Sequence, residues 1–155
     1  MDIKRILCPV DFSETSSIAL EVASDFARGT GARLYIVHVE ENPVPFGPGL
    51  QGGLPTPVEK DDHELWSTLP TATNVDFEHH LLLGSAKDAI VKFIDEKDID
   101  LVVVGSHGRS GMKRALVGSF AESLMRSSPV PVLTVRPNMK RVRQMTRDPG
   151  MTGFN

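Results

Sequence analysis

Several short segments of this chain are apolar at consecutive positions, and that feature limits what it can fold into. Ile3 to Val10 is interrupted only by Lys4 and Arg5, and Leu34 to Val39 is apolar on both faces. Asp100 to Gly105 encloses Leu101-Val102-Val103-Val104, and Val130 to Val135 repeats the pattern. A strand points successive side chains to opposite faces, so such runs need cover on both sides, which a parallel sheet layered with helices provides. A further strand is predicted at Val75 to Leu83, where Val75, Phe77, His79, Leu81 and Leu83 alternate as on one better-buried face.

Helical segments lie between these strands. From Glu14 to Arg28, Ala19, Val22, Ala23, Phe26 and Ala27 recur at helical spacing, with Ser13 placed to cap and Gly29 and Gly31 to close. Ser85 and Asp88 have capping-box spacing ahead of a face made of Ala86, Ala89, Ile90, Phe93 and Ile94. Ser119 and Glu122 repeat that spacing ahead of Phe120, Ala121, Leu124 and Met125, and Pro129 ends the segment. Strands alternating with helices predict an α/β domain built on a single open, mostly parallel sheet.

With 155 residues the chain is long enough for one domain that buries roughly 70% of its unfolded surface, without staples. That domain is expected over residues 1–137. Asn42 to Pro57 holds five prolines and four glycines and reads as a long, flexible surface loop, followed by a thin-faced short helix from Val58 to Leu69. Residues 138–155 are expected to be a mobile basic tail. From Arg136 onward five basic residues face one acid, Asp148, a net of +4; the other 12 basic and 19 acidic residues leave the body at −7. An acidic body argues against a nucleic-acid-binding face. No apolar run approaches the ~20 residues of a membrane span, and Met1-Asp2-Ile3-Lys4-Arg5 does not read as a secretory leader. The lone Cys8 sits in an apolar run, as expected of a buried thiol in a reduced, cytoplasmic protein.

In open parallel sheets ligands bind beyond the carboxyl ends of the strands, where the strand order reverses. Two such ends carry unusual residues: Pro9-Val10-Asp11, and Gly105-Ser106-His107-Gly108-Arg109-Ser110-Gly111, which leads to Gly118-Ser119 at a helix start. Small residues let backbone N–H groups approach a ligand, and a helix N-terminus favours an anion, so Gly105, Gly108, Gly118 and Ser119 describe a phosphate cradle. Arg109, Lys113 and Arg114 add positive charge. The same glycines would equally serve a loop that only turns the chain. Neither the P-loop nor the dinucleotide fingerprint is present, Ser110 lacks a nucleophile-elbow context, and the five histidines have no zinc-site spacing. His38 is expected in the core, His107 in the loop or near phosphate, and the His79 and His80 rings on opposite faces of a strand.

Gly105-x2-Gly108-x9-Gly118-Ser119 resembles the ATP-binding signature of the universal stress protein family. Ile6-Leu-Cys-Pro-Val-Asp-Phe-Ser13, Leu34-Tyr-Ile-Val-His-Val39, Leu101 to Gly111 and Pro129 to Arg136 resemble that family in the same order, so the likeness spans about residues 2 to 137. It implies a Rossmann-like sheet of order 3-2-1-4-5 with helices on both faces and ATP between the first and fourth strands. Asp11 would face the ribose or a phosphate-bound magnesium ion. Val39 would meet adenine through its backbone, and Pro9 and Val10 would wall the base. Val104 and Gly105 would lie by the ribose. Gly108, Gly118, Ser119 and the Phe120 amide would hold phosphates, with Ser106 and Arg109 counted beside them. The Gly/Pro-rich loop and the basic tail depart from the family pattern.

The resemblance implies a nucleotide-dependent regulatory protein that senses rather than catalyses and acts on a protein partner. Slow ATP hydrolysis or phosphotransfer is the enzymatic alternative, and an interaction protein working through its basic tail is a third. Val130 to Val135, as an apolar edge strand, is expected to pair in a homodimer.

Overall fold

In the computed structural model, which describes residues 2–41, 74–107 and 117–137, the consecutive apolar residues are divided between the two faces of one sheet. The elements are β1 (Arg5–Pro9), α1 (Glu14–Thr30), β2 (Arg33–Glu40), β3 (Phe77–Leu83), α2 (Ala86–Glu96), β4 (Leu101–Gly105), α3 (Ser119–Ser127) and β5 (Val132–Val135). The strand order is β3-β2-β1-β4-β5, and every pairing is parallel. The expected loop 42–57, the short helix 58–69, the glycine-loop residues 108–116 and the tail 138–155 lie outside the described residues.

Alternation along the strands builds two cores. Ile6, Cys8, Leu34, Ile36, Leu101 and Val103 face α1 and pack on Ala19, Leu20, Ala23 and Ala27. Leu7, Tyr35, Val37, Val102 and Val104 face the other way, onto Ile90, Phe93 and Ile94 of α2 and Ala121 and Leu124 of α3. The alanines of α1 bring its backbone close to the sheet, and Gly105 sits directly against its first turn. A Cβ there would lie 2.9 Å from Thr15 Cγ2 and 3.1 Å from the Thr15 carbonyl carbon.

Helix α1 begins and ends as its sequence predicts: the Ser13 hydroxyl accepts from the Ser16 N–H at 3.2 Å, and Gly31 closes the helix at φ 73°. Other details differ. Gly29 lies inside α1, so Gly31 alone takes the left-handed stop. Phe26 and Met125, expected on core faces, are 41% and 42% exposed, because small neighbours such as Ala23, Ala27 and Ala121 fill the contact surface. The Ser85–Asp88 capping box does not form: Glu41 Oε1 instead accepts from the Ala86 N–H at 3.0 Å. Asp88 is one methylene shorter than the Glu that such a box favours, and its carboxylate is held below its usual range by Lys87 and then by Ser85. At α3 the N-cap is Gly118 rather than Ser119; the Glu122 side chain turns to Arg126 at 2.9 Å. Edge strand β3 lacks the expected burial contrast: its positions are half-buried on both faces except exposed Leu83, because both helical layers reach it. The His79 and His80 rings do lie on opposite faces, one beside Phe77 and the other between Tyr35 and Phe93.

The sheet divides on one side of its central strand. β1 pairs with β4 only at Ile6↔Leu101 and Leu7↔Val102, yet stays paired with β2 through Pro9↔Val37. Arg5 C=O accepts from Asp100 N–H, so alternation turns the backbone groups of Arg5, Leu7 and Pro9 toward β4. Pro9 has no N–H to donate, and the β1–β4 ladder stops before it.

Two glycines of this fold should respond oppositely to a methyl group. Gly105→Ala must displace Thr15 backbone and should lower stability by about 1–3 kcal/mol. Gly29→Ala meets nothing within 4 Å inside a helix and should raise stability by about 0.4–1 kcal/mol. Denaturant unfolding of the two variants checks both signs.

Candidate functional site

Where β1 and β4 part, a cavity of about 830 Å³ opens at the carboxyl ends of the strands. Pro9, Val10, Asp11, Val39, Val104, Gly105, Ser106, Gly118, Ser119 and Phe120 all line it. Gly108 and Arg109, the remaining residues singled out in the sequence, lie outside the described residues.

The β1 side is a tight turn. One Asp11 carboxylate oxygen accepts from the Ser13 N–H at 3.0 Å, while the Asp11 N–H donates to Ser16 Oγ at 3.4 Å. Between Asp11 and the N-cap, Phe12 takes φ 64°, a left-handed conformation costing of order 1–3 kcal/mol in a non-glycine residue. Its ring rests on His38, with centroids 4.7 Å apart.

The β4 side ties both ends of the glycine loop together. Ser106 N–H donates to Val135 O at 2.7 Å, and Ser106 C=O accepts from the Gly118 N–H. The chain therefore returns to the place it left, setting the start of α3 beside the end of β4. Ser106 is buried, with its hydroxyl 3.0 Å from His107 Nδ1, and His107 lines the cavity. Because the N-cap is a glycine, no side chain caps α3. The first-turn amides of a helix carry the positive end of its dipole, and here Ser119 and Phe120 present that end at the cavity wall.

The third side comes from β2 and α2. Val39, Glu40 and Glu41 follow the last residue of β2 that pairs with β1, and Ser85, Ala86 and Lys87 face them. His38, expected in the core, is half-buried on the cavity wall with Nδ1 2.8 Å from Val10 O. β1 ends opposite Val37, so residues after Val37 lose their cover on that side. Ser16, His38, Glu40, Glu41 and Lys87 escaped the sequence reading because no local motif marks them; tertiary placement alone brings them here. Cys8 is fully buried, and burial pushes its thiol up, away from reactivity.

Chemically, this arrangement suits an extended anion with an apolar body: a helix start for negative charge, apolar walls from Pro9, Val10 and Val104, and Asp11 between them. Among the described residues no group of three or more His, Cys, Asp or Glu side chains is placed to hold a metal ion. No described helix is long and apolar enough to cross a membrane.

Comparison with known proteins agrees with this geometry. The sequence profile of the Universal stress protein family matches residues 2–136. Universal stress protein A homolog 1 of Coxiella burnetii is 30% identical over 141 residues, covering 87% of this chain and 97% of that protein. A universal stress protein solved in complex with cAMP superposes with a TM-score of 0.63 at 26% identity, over 88% of this chain and 99% of that one. A universal stress protein from Archaeoglobus fulgidus, solved in complex with dAMP, gives 0.60 at 26% identity, over 87% and 99%. With the family profile matching residues 2–136 and a relative 30% identical over nearly its whole length, the chain belongs to the universal stress protein family.

Proposed function

We propose that this protein binds ATP with magnesium in the cavity between β1 and β4 and acts as a nucleotide-dependent regulator, its surface read by a protein partner. One observation carries the reading: the uncapped start of α3 opens on the same cavity as the end of β2, so an anion site and an apolar base site share one cleft. Relatives in complex with cAMP and dAMP support an adenine nucleotide as the class of ligand.

In this reading the base lies against Val39 between Pro9 and Val10, with the ribose by Asp11, Val104 and Gly105. Gly118, Ser119 and the Phe120 amide hold phosphates, with Ser106, Gly108 and Arg109 at the same end. Asp11 brings a carboxylate toward a polyphosphate, and two like unit charges 4 Å apart repel by about 4 kcal/mol at an effective dielectric of 20. A magnesium ion between them turns that repulsion into attraction, and phosphate oxygens complete its shell. Bound, the ion supplies charge neutralisation. Regulation rather than turnover fits this reading, because phosphoryl transfer needs a positioned group to orient the attacking nucleophile, and Asp11 is assigned to the cation instead.

We assign the domain to residues 1–137, with 138–155 as an appended basic segment. A homodimer through β5 completes the proposal. Pairing with β4 uses the Pro131 and Val135 carbonyls, so alternation leaves the N–H groups of Val132 and Thr134 on the open edge.

Three measurements test this. Calorimetric titration should give Mg·ATP binding to the natural chain, weakened about tenfold or more by Ser119→Glu, which sets a carboxylate on the phosphate end. The same carboxylate favours the helix dipole, so Ser119→Glu should keep or slightly raise thermal stability; equal loss of both would mean the variant misfolds rather than repels. In Asp11→Asn, ATP binding should depend much less on magnesium than in the natural chain, and an unchanged magnesium dependence would remove Asp11 from the cation site. Thr134→Pro removes an outward N–H and sets a ring on the open edge while sparing the donors that bond β4; it should yield monomers in sedimentation experiments at unchanged thermal stability, and an unaltered dimer would place the interface elsewhere.

A further inference from the structure

The end of β2 departs from regular sheet pairing at the place where the base is assigned. We propose that His38 is a positioning residue that keeps the Val39 backbone open for a base edge, by taking the carbonyl that would otherwise close the β1–β2 ladder over it. The identity of the occupant rests on the binding reading above; the opening itself does not.

In a regular parallel ladder, a residue whose N–H donates to one neighbour receives at its carbonyl an N–H from two residues further along the partner strand. Val10 N–H donates to Val37 O at 2.8 Å, so the Val39 N–H is the regular partner for Val10 O. His38 Nδ1 occupies that acceptor at 2.8 Å instead, and the β1–β2 register stops at Pro9↔Val37. A carbonyl only accepts, so Nδ1 carries the proton whether the ring is neutral or charged.

Alternation fixes where the Val39 groups point. Arg33 N–H donates to Lys4 O, and Val37 O accepts from Val10, so odd-numbered residues of β2 turn their backbone toward β1; Leu34 N–H and Glu40 O pair toward β3. The N–H and C=O of Val39 therefore face the side that β1 has left, and no backbone group among the described residues pairs with them. A donor and an acceptor side by side match adenine, whose N1 accepts and whose N6 donates. A 6-oxopurine in the same pose sets its N1–H against the Val39 N–H and its O6 against the Val39 carbonyl, and both pairs go unmade. The His38 ring is itself braced by Phe12, in the turn that carries Asp11. One imidazole thus spans the base end and the Asp11 end of the cleft.

The test combines amide hydrogen exchange at Val39 with titrations of AMP and inosine monophosphate, which differ at this edge alone. In the nucleotide-free natural chain the Val39 amide should exchange much faster than its ladder neighbours, and AMP should protect it. His38→Phe keeps a ring against Phe12 and removes the donor. It should protect Val39 without ligand, weaken AMP about tenfold, the equivalent of roughly one hydrogen bond, and erase the preference for AMP over inosine monophosphate. His38→Gln, which restores a side-chain N–H, should recover part of both. A Val39 amide already protected in the nucleotide-free natural chain overturns the proposal, as does His38→Phe with unchanged exchange and unchanged preference. If His38→Phe does not fold, the natural chain and His38→Gln decide the question by the same readouts. An open Val39 that closes in His38→Phe, in a protein that takes up neither nucleotide, supports the role of His38 and overturns the binding reading instead.

Discussion

A missing hydrogen bond at Pro9 organises the rest of the molecule. β1 is the central strand, covered by β2 on one side and β4 on the other, and a central strand ordinarily bonds to both neighbours along its length. Proline removes a donor from the β4 side alone, so the sheet holds together at Leu7 and parts beyond it, while the β2 side continues to Val37. The cleft is thus a consequence of covalent chemistry at one residue, placed where parallel strands all end in the same direction.

The elements around the cleft then do two jobs at once. Gly105 lets β4 sit against Thr15 at the first turn of α1, so one residue both lines the cleft and holds the helix close to the sheet. The strained Phe12 turn joins β1 to α1 in a few residues, and strain of that size persists because Ser13 caps the helix and the Phe12 ring packs at a tilt against His38. Ser106, buried and bonded through both its N–H and its C=O, anchors the start of the glycine loop to β5 and to Gly118. Surface ion pairs such as Arg28–Asp25 and Lys92–Glu96 lie far from this arrangement and, being exposed, contribute about 0–1 kcal/mol each. The weight rests on packing and on a few buried backbone bonds.

Much of this was legible in the sequence, for identifiable reasons. Leu101 to Val104 and Leu34 to Val37 declare strands buried on both faces because period-two geometry allows no other cover, and Ser13 and Gly31 mark α1 through their own local chemistry. The cleft followed from the rule for parallel sheets together with Pro9 and Gly105. What escaped depended on contacts between distant segments. His38 reads as another core residue until β1 is seen to end opposite Val37. Glu41 takes the start of α2 from forty-five positions away in sequence, a substitution for Ser85 that no local capping rule anticipates. Phe26 and Met125 satisfied helical spacing, yet alanines already filled the surface they would have needed.

An adenine nucleotide held between β1 and β4 is the central claim. Its most direct test is to denature freshly purified protein, remove the polypeptide by filtration and identify what was released by chromatography, with Gly118→Val treated in parallel. The expected result is ATP or ADP at close to one per chain from the natural protein and none from the variant. An empty natural protein that also takes up no added Mg·ATP would contradict the claim, and would leave the glycine loop with a purely structural role.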